Sequence, residues 1–387
     1  MQRKNAILRW AAMAIGAVLL CGCTLSASLR HDDIRSVWGP TANGGRTLPP
    51  RIVFYATDRA PDGAGFSQNW GGVAHCGRAA TRIANAVSQV APDPVLEPIG
   101  CEGPAQMAAF ARAIAADAAA RHCTKVLVIV HGFNLTFRNG LLHGAQIATD
   151  TQYPCSTLLL NWSSEGLFNR YAADIERSGY AVPLLIDLVR ALNGAGLKPD
   201  LMGHSMGARI SLSAMAALCP EPAPIVNELI LIAPDVSAEP GNDDFGRLLA
   251  RDAQCARRAT IYASDNDLAL MASESIHGGV PRAGQRPLQA LDYAAANRNV
   301  DAVDASLGPG DPSGHAYFVF AWEALDDLMW VLDGATLADR AAKGTLDCMV
   351  QSGGGCSRYE LKVAKNRQPS PSRKLLRAIW PAILPFQ

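Results

Sequence analysis

The chain is 387 residues long, 49% hydrophobic and 18% charged, which suits a globular protein with a sizeable core and excludes a disordered chain. Lys and Arg total 35, as do Asp and Glu, so the formal net charge is zero. That balance leaves no electrostatic footprint for nucleic acid, and no nucleic-acid partner is expected.

In chain order, the first segment reads as an export signal. Arg3, Lys4 and Arg9 make a basic start, and Ala11 to Leu20 form an apolar run of about ten residues, shorter than the roughly 20 that span a bilayer. It closes on Leu20-Cys21-Gly22-Cys23, which resembles the lipobox of bacterial lipoproteins. That resemblance implies a signal peptide over residues 1–23, with acylated Cys23 as the mature N-terminus. Because Thr24 and not Asp follows, it also implies an outer-membrane location facing the periplasm. A plain secretory signal or an uncleaved anchor is the alternative, and the mature chain is exported in either case. Residues 24–50 are polar, contain Gly44-Gly45 and Pro49-Pro50, and read as a tether.

Regular structure is expected from the β-rich run Arg51 to Ala56, followed by a Gly/Pro-rich insertion to about residue 100 and an Ala-rich helix from Pro104 to His122. Beyond it, apolar runs alternate with helical stretches. Lys125–Val130 is a continuous β-branched run, the mark of a strand buried on both faces. Ser156–Leu160, Leu201–Met202, Glu228–Ala233, Ala259–Ala263 and Val300–Val303 are further strands. Helices are expected near 138–150, 170–192, 206–218 and 243–252, and from Tyr317 to Leu332. Alternating βαβα order predicts an α/β fold, a mostly parallel sheet with helices on both faces. The folded body is expected over residues 51–335, with a C-terminal loop and basic tail over 336–387. The tail carries Arg358, Lys362, Lys365, Arg367, Arg373, Lys374 and Arg377 and is either solvated or rests on anionic lipid.

Eight cysteines follow Cys23, an even number that in an exported chain favours disulfides. Connectivity stays open, with Cys348–Cys356, Cys76–Cys101 and Cys123–Cys155 as plausible neighbouring pairs. Cysteine and histidine spacings of the zinc-binding kind are absent, so neither a metal nor a cofactor is expected.

The chemistry concentrates at Gly203-His204-Ser205-Met206-Gly207, a G-x-S-x-G pattern between a short strand and an apolar helix. A serine on so tight a turn adopts a strained backbone that lifts its hydroxyl above the sheet, while the helix start offers free N–H groups to developing negative charge. An oxyanion hole needs the N–H after the nucleophile, here Met206, and one from a loop after an earlier strand. His131-Gly132-Phe133-Asn134 follows the Lys125–Val130 strand, which makes Phe133 the candidate second donor and His131 a structural brace. The base should lie late in the chain. His315, after the last strand, is favoured over His277, which precedes it. For the acid, Asp267 follows the Ala259–Ala263 strand and Asp235 the strand before it; Asp267 is favoured, Asp235 is the alternative, and Asp265 is the weaker choice within its loop. Asp244-Phe245-Gly246 spells the kinase triplet, but nothing else of a kinase accompanies it.

Phe54-Tyr-Ala-Thr-Asp-Arg59, His131 to Asn134, Asn161-Trp-Ser-Ser164, Tyr171 with Asp174, Gly203 to Gly207, Ala233-Pro-Asp235, Tyr262 to Asp267 and Gly314-His315 recur in order. As a set they resemble a bacterial family of α/β hydrolases of unknown function. The resemblance spans roughly residues 51–335 and implies the α/β-hydrolase fold and a Ser/Asp/His triad, but no substrate. One departure is Asn161-Trp-Ser-Ser164, where relatives carry a Trp-Pro-Ser type of sequence. About twenty residues separate Asp235 from the next strand, so little or no cap is expected. The expected function is a serine hydrolase, a carboxylesterase acting on small-molecule or lipid acyl esters at the cell envelope; acyltransferase and peptidase chemistry stay open. The alternative is a non-catalytic envelope lipoprotein that uses the fold as a binding or scaffolding module. The sequence does not bear on oligomeric state.

Overall fold

Alternate residues of Lys125–Val130 (β4) face two different cores. Val126, Val128 and Val130 join one apolar cluster, Leu127 and Ile129 the other. This is the period-2 alternation of a strand covered on both faces. The structure is a computed structural model that describes residues 50–82, 93–165, 170–221, 224–239, 244–309, 313–352 and 355–367. The expected signal peptide with Cys23, the tether and the end of the basic tail lie outside the described residues.

The sheet has eleven strands among the described residues. Besides β4 these are Arg51–Asp62 (β1), Gly65–Thr81 (β2), Val95–Pro98 (β3), Ser156–Leu160 (β5), Lys198–His204 (β6), Val226–Ile232 (β7), Ala256–Ala263 (β8), Val300–Asp304 (β9), Leu346–Ser352 (β10) and Gly355–Leu361 (β11). They lie in the order β10-β11-β9-β8-β7-β6-β4-β5-β1-β2-β3. The strands from β1 to β11 in that order pair parallel, while β2, β3 and β10 add antiparallel edges.

Helices cover both faces. Pro104–Ala120 (α1), Tyr171–Gly194 (α3), Met206–Leu218 (α4), Phe245–Asp252 (α5) and Pro287–Ala296 (α7) contribute to one core. Phe137–Asp150 (α2) and Trp322–Leu332 (α9) pack on the other. Leu268–Ile276 (α6), Tyr317–Phe320 (α8) and Leu337–Ala342 (α10) complete the set. The α/β-hydrolase expectation holds, and between β7 and β8 only α5 intervenes among the described residues.

Three sequence expectations change. The segment from about 60 to 100, expected as a Gly/Pro-rich insertion, carries strands over its described residues. β1 runs on to Asp62 and pairs with the long β2, which in turn pairs with β3. Polar and glycine residues mask the alternation there because most of β2 is only partly buried or exposed. The sheet also continues past residue 335, since β11 pairs parallel with β9 through Tyr359 and Val303. Arg358, read as part of a basic tail, lies in that strand and pairs with Asp292 at 2.5 Å. Finally, the helix expected from Tyr317 to Leu332 breaks at Ala321, whose extended backbone (φ −97°, ψ 114°) separates α8 from α9.

Disulfides join Cys76–Cys101, Cys123–Cys155, Cys219–Cys255 and Cys348–Cys356. The Cys123–Cys155 bond ties the chain just before β4 to the chain just before its parallel neighbour β5.

Candidate active site

The strand order reverses at β4, with β5 on one side and β6 on the other. Parallel α/β sheets bind ligands outside the carboxyl ends of strands at such a reversal, because the loops there diverge and leave a crevice. Val130 and Gly203 are register partners at the ends of β4 and β6. The His131 loop and the Ser205 turn therefore rise side by side.

Ser205 connects β6 directly to α4 with φ 55° and ψ −120°, a conformation that costs a non-glycine residue about 1–3 kcal/mol. The turn is tied down from several sides. Ser205 N–H donates to the Ile232 carbonyl at 2.9 Å, and its own carbonyl accepts from Ala208 N–H and, at 3.2 Å, from Asp235 N–H. Gly207 lets α4 approach β4: a Cβ there would lie 2.1 Å from the Val130 carbonyl oxygen. Asn134 (φ 67°) and Ala233 (φ 46°) are also left-handed and also sit just beyond strand ends. Such clustering is typical of functional loops.

The His131–Asn134 loop is held from below. His131 is buried, stacks on Trp162 with ring centroids 5.4 Å apart, and has its Nδ1 2.7 Å from the Gly132 carbonyl. Burial lowers its pKa to about 3, so it is a neutral brace. Asn134 N–H is engaged by Ser164 Oγ at 2.7 Å. The Phe133 and Met206 N–H groups have no backbone acceptor among the described residues, which leaves both available to a ligand.

Asp267 caps α6 and orients a histidine at once. Its Oδ1 accepts from Leu270 N–H at 2.9 Å, and its Oδ2 lies 2.7 Å from His315 Nδ1. Asp267 is fully buried, whereas His315 keeps some exposure. The His315 ring packs against His204, the residue before Ser205, with centroids 4.6 Å apart. Burial holds His204 well below the usual histidine range, with His315 adding to the effect. Phe318 closes the other side of His204 at 4.4 Å.

Asp235 is engaged elsewhere. Its carboxylate pairs with buried Arg282 (Nε to Oδ1, 2.8 Å) and accepts from Ser273 Oγ at 2.7 Å and from the Tyr171 hydroxyl. Burial alone would raise its pKa, but Arg282 and these donors outweigh it and hold the group below the usual carboxylate range. His277, the competing base, ends α6 with Nδ1 2.8 Å from the Ser273 carbonyl. Asp265 N–H is taken by Ser306 Oγ. Asp244 caps α5 by accepting from Arg247 N–H, which gives the kinase-like triplet a structural role.

Sequence reasoning missed two groups. One is Arg282, for which no local signal exists. The other is Arg59, which ends the Phe54–Arg59 motif. Its guanidinium is fully buried and reaches Asn161 Oδ1 (3.1 Å), the Ser164 carbonyl (3.2 Å) and the Leu135 carbonyl (2.6 Å). Burial lowers its pKa to about 10, partly offset by Asp58 and Asp174. Asp174 in turn accepts from Ser164 Oγ at 2.6 Å. Motifs scattered along the sequence thus form one polar bracket under the loop that carries Phe133.

The profile of a family described as "Alpha/beta hydrolase of unknown function (DUF900)" matches residues 106–325. Comparison with curated proteins gives no match. Among solved structures, an esterase from Pyrobaculum calidifontis is 12% identical, covering 86% of this chain and 98% of its own, with a TM-score of 0.40. A phospholipase, PlaB, from Legionella pneumophila in complex with thio-NAD is 13% identical over 62% of this chain and 67% of its own, with a TM-score of 0.29. A lipase-esterase related protein from Clostridium acetobutylicum is 13% identical over 68% of this chain and 93% of its own, with a TM-score of 0.25.

Proposed function

Since the chain belongs to this family of α/β hydrolases of unknown function, we propose that it is a serine carboxylesterase using Ser205, His315 and Asp267. The observation that carries the reading is the 2.7 Å contact between buried Asp267 and His315, on a histidine packed against the Ser205 turn.

In this mechanism Ser205 Oγ attacks the acyl carbon while His315 Nε2 takes its proton. Asp267 keeps the Nδ1–H tautomer and stabilises the imidazolium without accepting the proton. The carbonyl oxygen becomes an oxyanion held by Phe133 and Met206 N–H at the start of α4, where the helix dipole adds to the field. His315 then protonates the leaving alcohol, and water repeats the sequence to release the acid. With only α5 between β7 and β8 among the described residues, the site suits ordinary carboxylesters over deeply enclosed chains.

The location is part of the proposal: a chain acylated at Cys23 and held at the outer membrane, facing the periplasm. The four disulfides among the described residues support an oxidising compartment. A fluorophosphonate probe tests the chemistry. Labelling should fall on Ser205 and vanish in Ser205→Ala, together with turnover of short p-nitrophenyl esters. Full activity in Ser205→Ala would end the assignment.

A further inference from the structure

A cleft of about 550 Å³ lies between α4, α5 and the segment after α6, and the mechanism above does not use it. Arg209, Arg251, His277 and Arg282 line it, with Leu248 and Val280 adding apolar wall. The charge there is poorly balanced. Arg209 has no ion-pair partner among the described residues. Arg251 is half exposed and lies 3.8 Å from Asp252. That carboxyl is buried so deeply that its pKa rises to about 8, leaving it largely uncharged at neutral pH. Arg282 is 2% exposed; its Nε and Nη2 are fixed on the Asp235 carboxylate and carbonyl, which leaves Nη1 without a protein acceptor among the described residues.

The cleft is coupled to the Ser205 turn. Arg209 stands four residues beyond Ser205 on α4, about 6 Å along the axis at 1.5 Å per residue. Asp235, which anchors Arg282, donates its N–H to the Ser205 carbonyl. An aromatic row links the two places: Phe133 meets Tyr171 edge-on at 5.3 Å, and Tyr171 meets His277 at 6.0 Å.

We propose that this cleft is an anion subsite that binds the phosphate group of a phosphate-bearing carboxylester while Ser205 attacks its acyl carbon. The inference rests on the esterase reading and names its substrate class. Three guanidinium groups from separate elements suit the several oxygens of a phosphate better than a carboxylate, which one planar fork satisfies. The volume exceeds that of a bare anion and accommodates an organic phosphate. The covalent step is unchanged: the Oγ–acyl bond forms, the acyl–alkoxide bond breaks, and the proton passes through His315 to the alkoxide.

The test is a titration of the full chain carrying Ser205→Ala, so that nothing turns over, with glycerol 3-phosphate, inorganic phosphate and glycerol as probes. Glycerol 3-phosphate should bind more tightly than inorganic phosphate, glycerol should not bind, and added salt should weaken the binding. Arg209→Gln and Arg251→Gln, both at accessible positions, should each weaken it by about tenfold, the loss of one charge-assisted contact. Absence of binding, binding of inorganic phosphate alone, or affinity unchanged in both variants would overturn the assignment. Fluorophosphonate labelling of the unsubstituted chain separates the two readings. Labelling without phosphate binding removes the subsite alone, whereas phosphate binding without labelling removes the esterase and leaves the anion site.

Discussion

The Arg59 guanidinium donates through Nη2 to the Leu135 carbonyl at 2.6 Å, tying the first strand to the loop that carries Phe133. The same group serves Asn161 and Ser164 and lies beside buried Asp58. Removing it strands these acceptors and leaves Asp58 without a cation. Arg59→Met should therefore cost about 3–5 kcal/mol, the usual penalty for breaking a buried charged network. Arg59→Lys keeps the charge but loses the planar fork, so it should unfold at a higher urea concentration than the Met variant. Its kcat should fall with KM little changed, because the loop moves and the binding surface stays. A urea midpoint indistinguishable from the parent in both variants would contradict this account.

Asp267 and Asp235 should separate on different axes. In Asp267→Asn the side chain can still cap α6, but an amide facing His315 favours the wrong tautomer, and kcat should drop by about 10³–10⁴ at neutral pH. Asp235→Asn leaves buried Arg282 uncompensated, so its main effect should be a loss of about 3–5 kcal/mol in unfolding free energy. Measuring kcat and urea unfolding on both variants settles the acid. The opposite pattern would transfer the role to Asp235.

Strands buried on both faces were legible because their signal is local: Val126 to Val130 have no polar interruption. Ser205 was legible because a strand, a strained serine and a helix must follow one another without a gap. The β2 hairpin was not, since a strand that is only partly buried needs no apolar alternation. Nor was the Ala321 break between α8 and α9, where neither proline nor glycine marks the site. Asp235 was ambiguous for another reason. Sequence places it after a strand, where an acid belongs, but only the fold reveals Arg282, 47 residues later, as its partner.

Stability should fall in mild acid. His131 is held neutral in the folded chain with a pKa of about 3, against about 6.5 when unfolded. The unfolded state therefore binds the proton first, and the contribution is complete above pH 6.5 and declines as pH drops toward 3. At pH 5 the loss is about 2 kcal/mol from this residue, and His204 adds in the same direction. Urea unfolding at pH 7.5 and 5 measures it, and His131→Gln should flatten the decline. An equal slope in that variant would assign it elsewhere.

Asp252 works with the opposite sign. Its folded pKa of about 8 lies above the unfolded value of about 3.9. The proton it retains stabilises the fold below pH 3.9, and that advantage fades as pH rises to 8. Asp252→Asn removes the penalty and should gain about 1–3 kcal/mol near pH 8, with a smaller gain at pH 5. A variant less stable than the parent at pH 8 would mean that the pair with Arg251 outweighs burial.

Gly132 offers the sharpest separation of catalysis from folding. A Cβ added there would lie 3.0 Å from both Ser205 Cβ and His204 Nδ1, and 3.1 Å from the His204 carbonyl oxygen. These distances are tight but not forbidden, so the loop can yield by a few tenths of an ångström. It can yield only away from the Ser205 turn, which carries Phe133 N–H away from Met206 N–H. Donors aimed at an oxyanion tolerate little displacement, and misplacement by about 1 Å can cost about 10² in rate. Gly132→Ala should accordingly lower kcat and the fluorophosphonate labelling rate by about tenfold, while unfolding free energy drops by about 1–2 kcal/mol. Gly207→Ala is the contrast: its Cβ would meet the Val130 carbonyl oxygen at 2.1 Å, in the backbone of a central strand. No local shift relieves that contact, so this variant should lose its cooperative thermal transition. Full turnover in Gly132→Ala would show that the oxyanion is held by donors other than Phe133.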